Sequence, residues 1–398
     1  MDVKNNLVAI AAGGTAGHIN TAFAIADKFL QNGFSTSLFT GVRHLDYKLY
    51  GDFCASLKGG TEGTLDAVRV VHLNTSPLKY RNPIKMVISF FKNILVFLNV
   101  LFIFIRKRPM VAVGAGGYVC GPVLVAAYCM RVPVFIIEQN SVLGFTNKAL
   151  SFFAKKIFVH FTNTRGIPKI FLSKVIVTGN PIRKEIIKSV CTCALAQAQT
   201  QEQRLNLLVF GGSLGSAPIN DLLIDFIEQT ESVEKMQDEV AVKLSIRHQV
   251  GKGYERAPKC ILKVNTYQQQ EYFDRISEEY SWADIIICRS GASSISELRV
   301  VKKTVILIPY PHHKDRHQYF NAVELKAEAA FPVYVEDCMS LRNNNFEKLI
   351  EIFRKSYLFK YDVKFDRTTS SAAPIARPDL DDVVWPEEAI YGEICKYV

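Results

Sequence analysis

Short, uninterrupted apolar runs recur along the chain. Each is bounded by Gly, Pro or charge and separated from the next by a segment of helix length. Residues 7–12, 110–113, 133–137, 156–159, 174–177, 205–210, 283–288 and 304–308 read as strands buried on both faces. Runs of this kind, without polar alternation, mark parallel strands in βαβ units. The pattern therefore predicts an α/β protein with helices on both faces of its sheets. It lapses over residues 189–204, which are rich in Gln, Ala, Thr and Cys, and resumes with a new strand at 205. The expected organisation is a domain over 1–187, a linker over 188–204, a second domain over 205–366 and a tail over 367–398. Within the tail, 367–378 reads as a loop and 386–398 as a helix packing back on the first domain. Two βαβ domains of similar size place a cleft between them, a frequent ligand site.

Four of the strand ends run into glycine turns that open helices. They are Gly13-Gly14-Thr15-Ala16-Gly17-His18, Gly114-Ala115-Gly116-Gly117-Tyr118, Gly211-Gly212-Ser213-Leu214-Gly215-Ser216 and Arg289-Ser290-Gly291-Ala292-Ser293-Ser294. Each presents free N–H groups and a positive helix end at the carboxyl edge of a sheet, where an anion can sit. One such turn is equally well explained by tight strand–helix packing; four on two sheets favour a ligand. None has the GxGxxG spacing of dinucleotide folds, and no GxxxxGK[ST] loop occurs, which sets dehydrogenases and P-loop ATPases aside.

The 398 residues suffice for two or three domains of about 150 residues. Lys and Arg exceed Asp and Glu, 48 to 38, for a formal net charge of +10, which points to an anionic partner. No nucleic-acid-binding module accompanies the charge, leaving a phosphorylated ligand or an acidic membrane. The nine cysteines form no CxxC pair and suit a reducing compartment better than a disulfide framework. The first residues lack the basic, apolar and cleavage regions of a signal peptide.

Residues 84–105 are the most hydrophobic stretch. Lys85, Ser89, Lys92, Asn93 and Asn99 fall on one arc of the helix it would form, and Arg106-Lys107-Arg108 closes it. A spanning helix, a core helix and an interfacial helix on an anionic bilayer all fit. Two lysines argue against spanning, and the flanking cations favour the interface, with Lys85, Phe91, Lys92 and Leu95 facing the membrane.

The glycine turns also carry a resemblance. Gly13–His18 is similar to the GGTGGH loop of the MurG family of peptidoglycan glycosyltransferases, and Gly114–Gly121 to its GxGGYxSG loop. Glu138-Gln139-Asn140 with Thr146-Asn147-Lys148 resembles EQN…TNK; Gly179-Asn180-Pro181-Ile182-Arg183 resembles GNPVR; Gly211–Gly215 resembles GGSQG. Arg289-Ser290-Gly291-Ala292 with Ser296-Glu297 resembles CRSGAxTxxE, and Lys314–Gln318 with Asn321 resembles HKDRQQYxNA. Seven motifs in order over about residues 7–330 make the resemblance specific. It departs at Ala16, Asn20-Thr21, Leu214, Ser293-Ser294 and His317, and it leaves the tail unmatched.

The resemblance implies the GT-B fold: two Rossmann-like domains with parallel sheets facing a central cleft. It also implies an inverting, metal-independent and cofactor-free transfer of GlcNAc from UDP-GlcNAc to the C4 hydroxyl of MurNAc in lipid I, giving lipid II and UDP. The implied setting is the cytoplasmic face of the bacterial inner membrane, with that anionic surface and other cell-wall enzymes as partners and no nucleic acid. His18 is then the candidate general base, or else a residue capping its turn or holding the acceptor. Thr15, Ala16, Gly17, Asn140, Arg183, Ser213, Ala292, Glu297, Gln318 and Asn321 are the expected UDP-GlcNAc contacts. In this set Arg183 meets the diphosphate, Glu297 the ribose hydroxyls, and the Gln318 and Asn321 amides the sugar. Phe273 aligns loosely with a backbone contact to uracil. Asp379-Leu380-Asp381 matches a metal-holding DxD but reads better as a solvated acidic stretch. His312, His313, Asp315 and His317 read better as a basic loop than as a metal cluster. Two other functions fit the same pattern: a related transferase using another UDP-sugar and lipid acceptor, and a catalytically silent nucleotide-sugar-binding membrane scaffold.

Overall fold

The computed structural model describes residues 6–57, 66–76, 83–183, 185–187, 189, 204–212, 215–232, 243–259, 265–313, 315–361 and 384–398. Ser213, most of the expected linker, the 367–378 loop and the Asp379-Leu380-Asp381 triplet lie outside the described residues. The chain divides into two units. Met1–Ile182 with Asp381–Val398 is one, and Arg183–Leu380 the other, so the first break falls upstream of the expected residue 187.

The first unit runs β1 (Leu7–Ala11), α1 (Ala16–Gln31), β2 (Ser35–Thr40), α2 (His44–Leu57), β3 (Val68–His72), α3 (Pro83–Arg106), β4 (Val111–Gly114), α4 (Cys120–Cys129), β5 (Val134–Glu138), α5 (Phe145–Leu150), β6 (Lys156–Val159) and β7 (Val175–Val177). Its strands form one parallel sheet in the order β3-β2-β1-β4-β5-β6-β7. The two-residue period of β1 divides the core. Val8, Ile10 and Ala12 pack with Ile19, Ala22, Ile25, Ala26 and Phe29 of α1, whereas Ala9 and Ala11 pack on the opposite side with residues of α3 and α4. Thr15, in extended conformation, caps α1 by accepting the His18 N–H at 3.4 Å.

The second unit runs β8 (Arg204–Phe210), α6 (Ala217–Ser232), β9 (Lys243–Gln249), β10 (Thr266–Gln270), α7 (Ile276–Trp282), β11 (Ile285–Cys288), α8 (Ala292–Val301), β12 (Thr304–Leu307), α9 (His317–Glu328), β13 (Val333–Val335), α10 (Cys338–Asn343) and α11 (Glu347–Tyr361). Its sheet is also parallel, in the order β10-β9-β8-β11-β12-β13. The last helix, α12 (Pro386–Cys395), belongs to the first unit. It starts with Pro386 at N1, where no N–H is needed. Ile390 and Ile394 enter the α1 core, Tyr391 meets Phe29 edge-on at 5.0 Å, and Glu388 pairs with Lys28 at 2.8 Å.

In both sheets the chain reverses its direction of travel across the sheet at one point, between β1 and β4 and between β8 and β11. Loops diverge at such a switch point and leave a crevice at the carboxyl ends of the strands. The glycine turns after β1 and β4 flank the first, and those after β8 and β11 flank the second.

Candidate functional site

In the first unit the two turns interlock. The Gly13 N–H donates to the Gly116 carbonyl at 3.3 Å, and the Ala115 N–H to Ala11 at 2.8 Å. Gly116 has φ +111, and a Cβ there would lie 2.6 Å from His18 Cδ2, so the imidazole rests directly on this glycine. His18 Nδ1 sits 3.3 Å from the Gly13 carbonyl. An N–H on Nδ1 satisfies that carbonyl and leaves the lone pair on Nε2, the tautomer a general base needs. The Gly14 turn is held by Asp46, a buried carboxylate at the start of α2. It accepts from Gly14 N at 3.1 Å and Arg43 N at 3.1 Å, with Thr40 Oγ1 at 3.5 Å. Beside the second turn, Glu138 organises the end of β5. One oxygen accepts from the backbone and side-chain nitrogens of Asn140, the other from Gly144 N at 2.8 Å and Asn147 Nδ2 at 2.9 Å.

In the second unit, Gln249 at the end of β9 joins two loops. Its Nε2 donates to the Gly212 carbonyl at 2.9 Å, and its Oε1 accepts from Phe273 N at 3.0 Å. Glu297, in the second turn of α8, is buried. Its Oε1 accepts from Arg183 Nε at 3.0 Å and Nη2 at 2.7 Å, and its Oε2 from the Tyr280 hydroxyl at 2.9 Å. Burial alone would lower the Arg183 pKa, but the Glu297 carboxylate raises it above its ordinary value. Arg289 is a strut: it donates to the Ile308 and Pro309 carbonyls and to Ser216 Oγ. Ser290 Oγ donates to the Gln318 carbonyl at 2.8 Å. Gln318 Oε1 accepts from Tyr310 N at 2.9 Å, and Asn321 Nδ2 donates to the Ser290 carbonyl at 3.1 Å.

Comparison with known proteins places this chain. Models of the glycosyltransferase family 28 N-terminal and C-terminal domains match residues 8–159 and 206–373. A relative from Myxococcus xanthus is 31% identical over 378 residues, 94% of this chain and 89% of its own length. It is named UDP-N-acetylglucosamine–N-acetylmuramyl-(pentapeptide) pyrophosphoryl-undecaprenol N-acetylglucosamine transferase. A relative of the same name from Geotalea uraniireducens is 31% identical over 95% of this chain and 96% of its own. The crystal structure of Acinetobacter baumannii MurG superposes with a TM-score of 0.63 at 26% identity, covering 88% of this chain and 94% of that one. The chain belongs to the MurG family. It is a glycosyltransferase of GT-B fold, and its two parallel-sheet units are the two Rossmann-like domains that the motifs implied. The UDP-GlcNAc 2-epimerase of Neisseria meningitidis, crystallised with UDP-GlcNAc, shares the fold at a TM-score of 0.59 and 14% identity, covering 98% of this chain and 100% of that one.

Against that MurG-family frame, the expected residues separate by unit. Thr15, Ala16, Gly17 and His18 stand at the switch point of the first unit, with Asn140 past the end of the neighbouring β5; Arg183, Ala292, Glu297, Gln318 and Asn321 belong to the second unit. Ala292 opens α8 and is half-buried, as is Gln318. Several of the expected groups already have protein partners. Arg183 and Glu297, given separate tasks on diphosphate and ribose, are bonded to each other. Asn321, expected beside Gln318 on a sugar-facing side, is wholly buried beneath the Ser290 turn. The Phe273 N–H already has Gln249 as its acceptor. Thr21, one of the departures, is explained: its hydroxyl lies 3.0 Å from the Gly17 carbonyl and 3.1 Å from Asn180 Oδ1, joining two of the motifs. Asp46 and Gln249 had been passed over. Asp46 was legible as an acid in the first turn of a helix after Gly41; nothing local in the sequence marks Gln249.

The expected polar arc of α3 is split. Ser89 is buried, and Asn93 turns inward, donating from Nδ2 to the Ser76 carbonyl at 2.9 Å. Val96, Val100 and Phe104 also face the core. The outward face is apolar: Val87, Phe91, Leu95, Leu98, Phe102 and Ile105 are all exposed, at helical spacing. Lys85, Arg106, Lys107 and Arg108 are exposed and Lys92 is half-buried. Among the described residues, α3 is the one helix long and apolar enough to cross a membrane.

Proposed function

We infer that the chain transfers GlcNAc from UDP-GlcNAc to the C4 hydroxyl of MurNAc in lipid I, releasing UDP. The observation that carries this is the agreement of the two glycine-lined switch points with full-length likeness to curated transferases of that name. In the reaction we propose, His18 Nε2 takes the proton of the C4 hydroxyl. The resulting oxygen attacks the anomeric carbon of GlcNAc from the face opposite UDP, and the C1–O bond to the diphosphate breaks with inversion. The β-phosphate oxygen leaves with the electron pair. In this proposal the glycine turn after β8, with the helix end that follows it, and the Arg183 guanidinium meet its charge. Glu297 receives ribose hydroxyls, and Gln318 bonds the sugar. Asn321, being buried, supports the turn that holds Gln318.

The outward face of α3 and its cations are proposed to rest on the anionic cytoplasmic face of the inner membrane, where a lipid-linked acceptor lies. The test is transfer of labelled GlcNAc from UDP-GlcNAc to a lipid I analogue, with UDP-galactose as competitor. His18→Ala is expected to lower turnover by about a hundredfold or more while UDP-GlcNAc binding survives. Binding of UDP without any transfer would favour a silent scaffold, and near wild-type turnover of His18→Ala would remove the base assignment.

A further inference from the structure

We propose that His313, Asp315 and His317 form a binding site for a divalent transition-metal ion, and that its occupation weakens donor binding. The three lie in the turn between β12 and α9. One ligand atom from each lies within 4.8 Å of the others, and among the described residues this is the one group of three His, Cys, Asp or Glu side chains that converges so. The backbone brings them together: the Arg316 N–H closes the turn onto the His313 carbonyl at 3.0 Å, and Arg316 adopts a left-handed conformation with φ +50. His317 Nδ1 is 2.8 Å from Asp315 Oδ1, and the His313 and His317 rings stand 4.3 Å apart. Two imidazoles and one carboxylate suit zinc, cobalt, nickel or copper rather than magnesium or calcium. Three protein ligands leave further positions open to water.

This turn bears on the donor through Gln318, and that part of the proposal rests on Gln318 touching the sugar. His317 opens α9 and directly precedes Gln318, whose Oε1 holds the Tyr310 N–H, while the Tyr310 ring packs edge-on against His313 at 4.9 Å. Zinc–nitrogen bonds of about 2.0 Å set tetrahedral ligand atoms roughly 3.3 Å apart, so an ion binding all three shifts side chains whose ligand atoms now lie within 4.8 Å of one another. Such a rearrangement strains the turn that carries Gln318 and its hold on the Tyr310 N–H. The resembled family carries Gln at position 317, so the second imidazole is a property of this chain.

The test uses untagged, metal-free, full-length protein titrated with Co²⁺, followed by the visible ligand-field bands and by displacement with Zn²⁺. Wild type is expected to develop low-symmetry Co²⁺ bands that Zn²⁺ abolishes. His317→Gln and Asp315→Asn, at a half-buried and an exposed position, should each bind at least roughly tenfold more weakly with unchanged thermal melts. Zn²⁺ should raise the KM for UDP-GlcNAc in wild type and not in His317→Gln. A spectrum that stays that of the aqueous ion, or one that His317→Gln leaves intact, overturns the site. If Co²⁺ binds through these residues and KM does not respond, the site stands and the placement of Gln318 against the donor sugar falls.

Discussion

A buried carboxylate can serve the protein, a ligand or both, and the proposed function gives Glu297 both tasks. Its two oxygens accept three hydrogen bonds from Arg183 and Tyr280, which leaves acceptor capacity on Oε2 for a ribose hydroxyl. Tyr280 is kept protonated: burial first, and the Glu297 charge after it, raise its pKa well above the usual phenol value, so it remains a donor. The glutamate is therefore oriented by the protein itself, and Arg183 is anchored to it. Replacing the carboxylate by an amide weakens the pair with Arg183 and turns one acceptor into a donor. Glu297→Gln is expected to raise the KM for UDP-GlcNAc by about tenfold, with a smaller effect on kcat. It should also shrink the preference for UDP over 2′-deoxy-UDP in binding, which a merely structural glutamate would leave untouched. Equal loss of affinity for both nucleotides would mean that Glu297 acts through Arg183 alone.

At the scale of elements, His248 at the end of β9 shows how a polar residue enters a sheet. It is fully buried, with Nδ1 2.9 Å from the Tyr267 hydroxyl and Nε2 3.0 Å from Asn220 Oδ1; the Asn220 amide in turn donates to the Val250 carbonyl. No charged partner takes part in these bonds, and burial lowers the His248 pKa to about 4. The unfolded chain binds this proton near pH 6.5, the folded chain only near pH 4. The stabilisation is thus complete above pH 6.5 and lost as pH falls from 6.5 to 4, by about 3 kcal/mol in all. The stability difference between wild type and His248→Gln in urea unfolding should therefore shrink by about that amount between pH 7 and pH 4. A constant difference would show that His248 does not stay neutral. Residues like this one also explain what the hydrophobic pattern missed. Strands β1, β4, β5, β6, β8, β11 and β12 were legible as apolar runs, as was the short edge strand β7. Strands β2, β3, β9, β10 and β13 lie toward the sheet edges, or carry polar alternation such as Lys-Leu-Ser-Ile-Arg-His-Gln in β9, and escaped that reading. The glycine turns were visible because backbone geometry demands them. The pairing of Arg183 with Glu297 and the bridge made by Gln249 join residues far apart in sequence, and only the fold brings them within reach.

For the molecule as a whole, the surplus of ten positive charges has to be weighed against where apolar surface is left bare. An exposed stripe of aromatic and aliphatic side chains along a 24-residue helix is costly to leave in water. On α3 it lies between Lys85 and the Arg106-Lys107-Arg108 run, with the Arg106 guanidinium 4.2 Å above the Phe102 ring. The opposite side of the helix is committed to the core through Val96, Val100 and Phe104, so a fully lipid-surrounded span would require unpacking it. An interfacial position satisfies both faces without that loss. The two contributions separate by experiment. Phe91→Ser with Leu95→Ser removes exposed apolar surface and is expected to cost about 2 kcal/mol of membrane partition, roughly thirtyfold, on neutral and anionic vesicles alike. Lys85→Gln with Lys92→Gln should cost about 1 kcal/mol per charge on anionic vesicles only, and that loss should vanish at high salt. Neither pair reaches the glycine turns, so turnover of a soluble short-chain acceptor should stay near wild type while turnover of a vesicle-embedded acceptor falls with binding. If the apolar pair sediments with vesicles as wild type does, the membrane contact lies elsewhere on the first unit and the stripe on α3 needs another occupant.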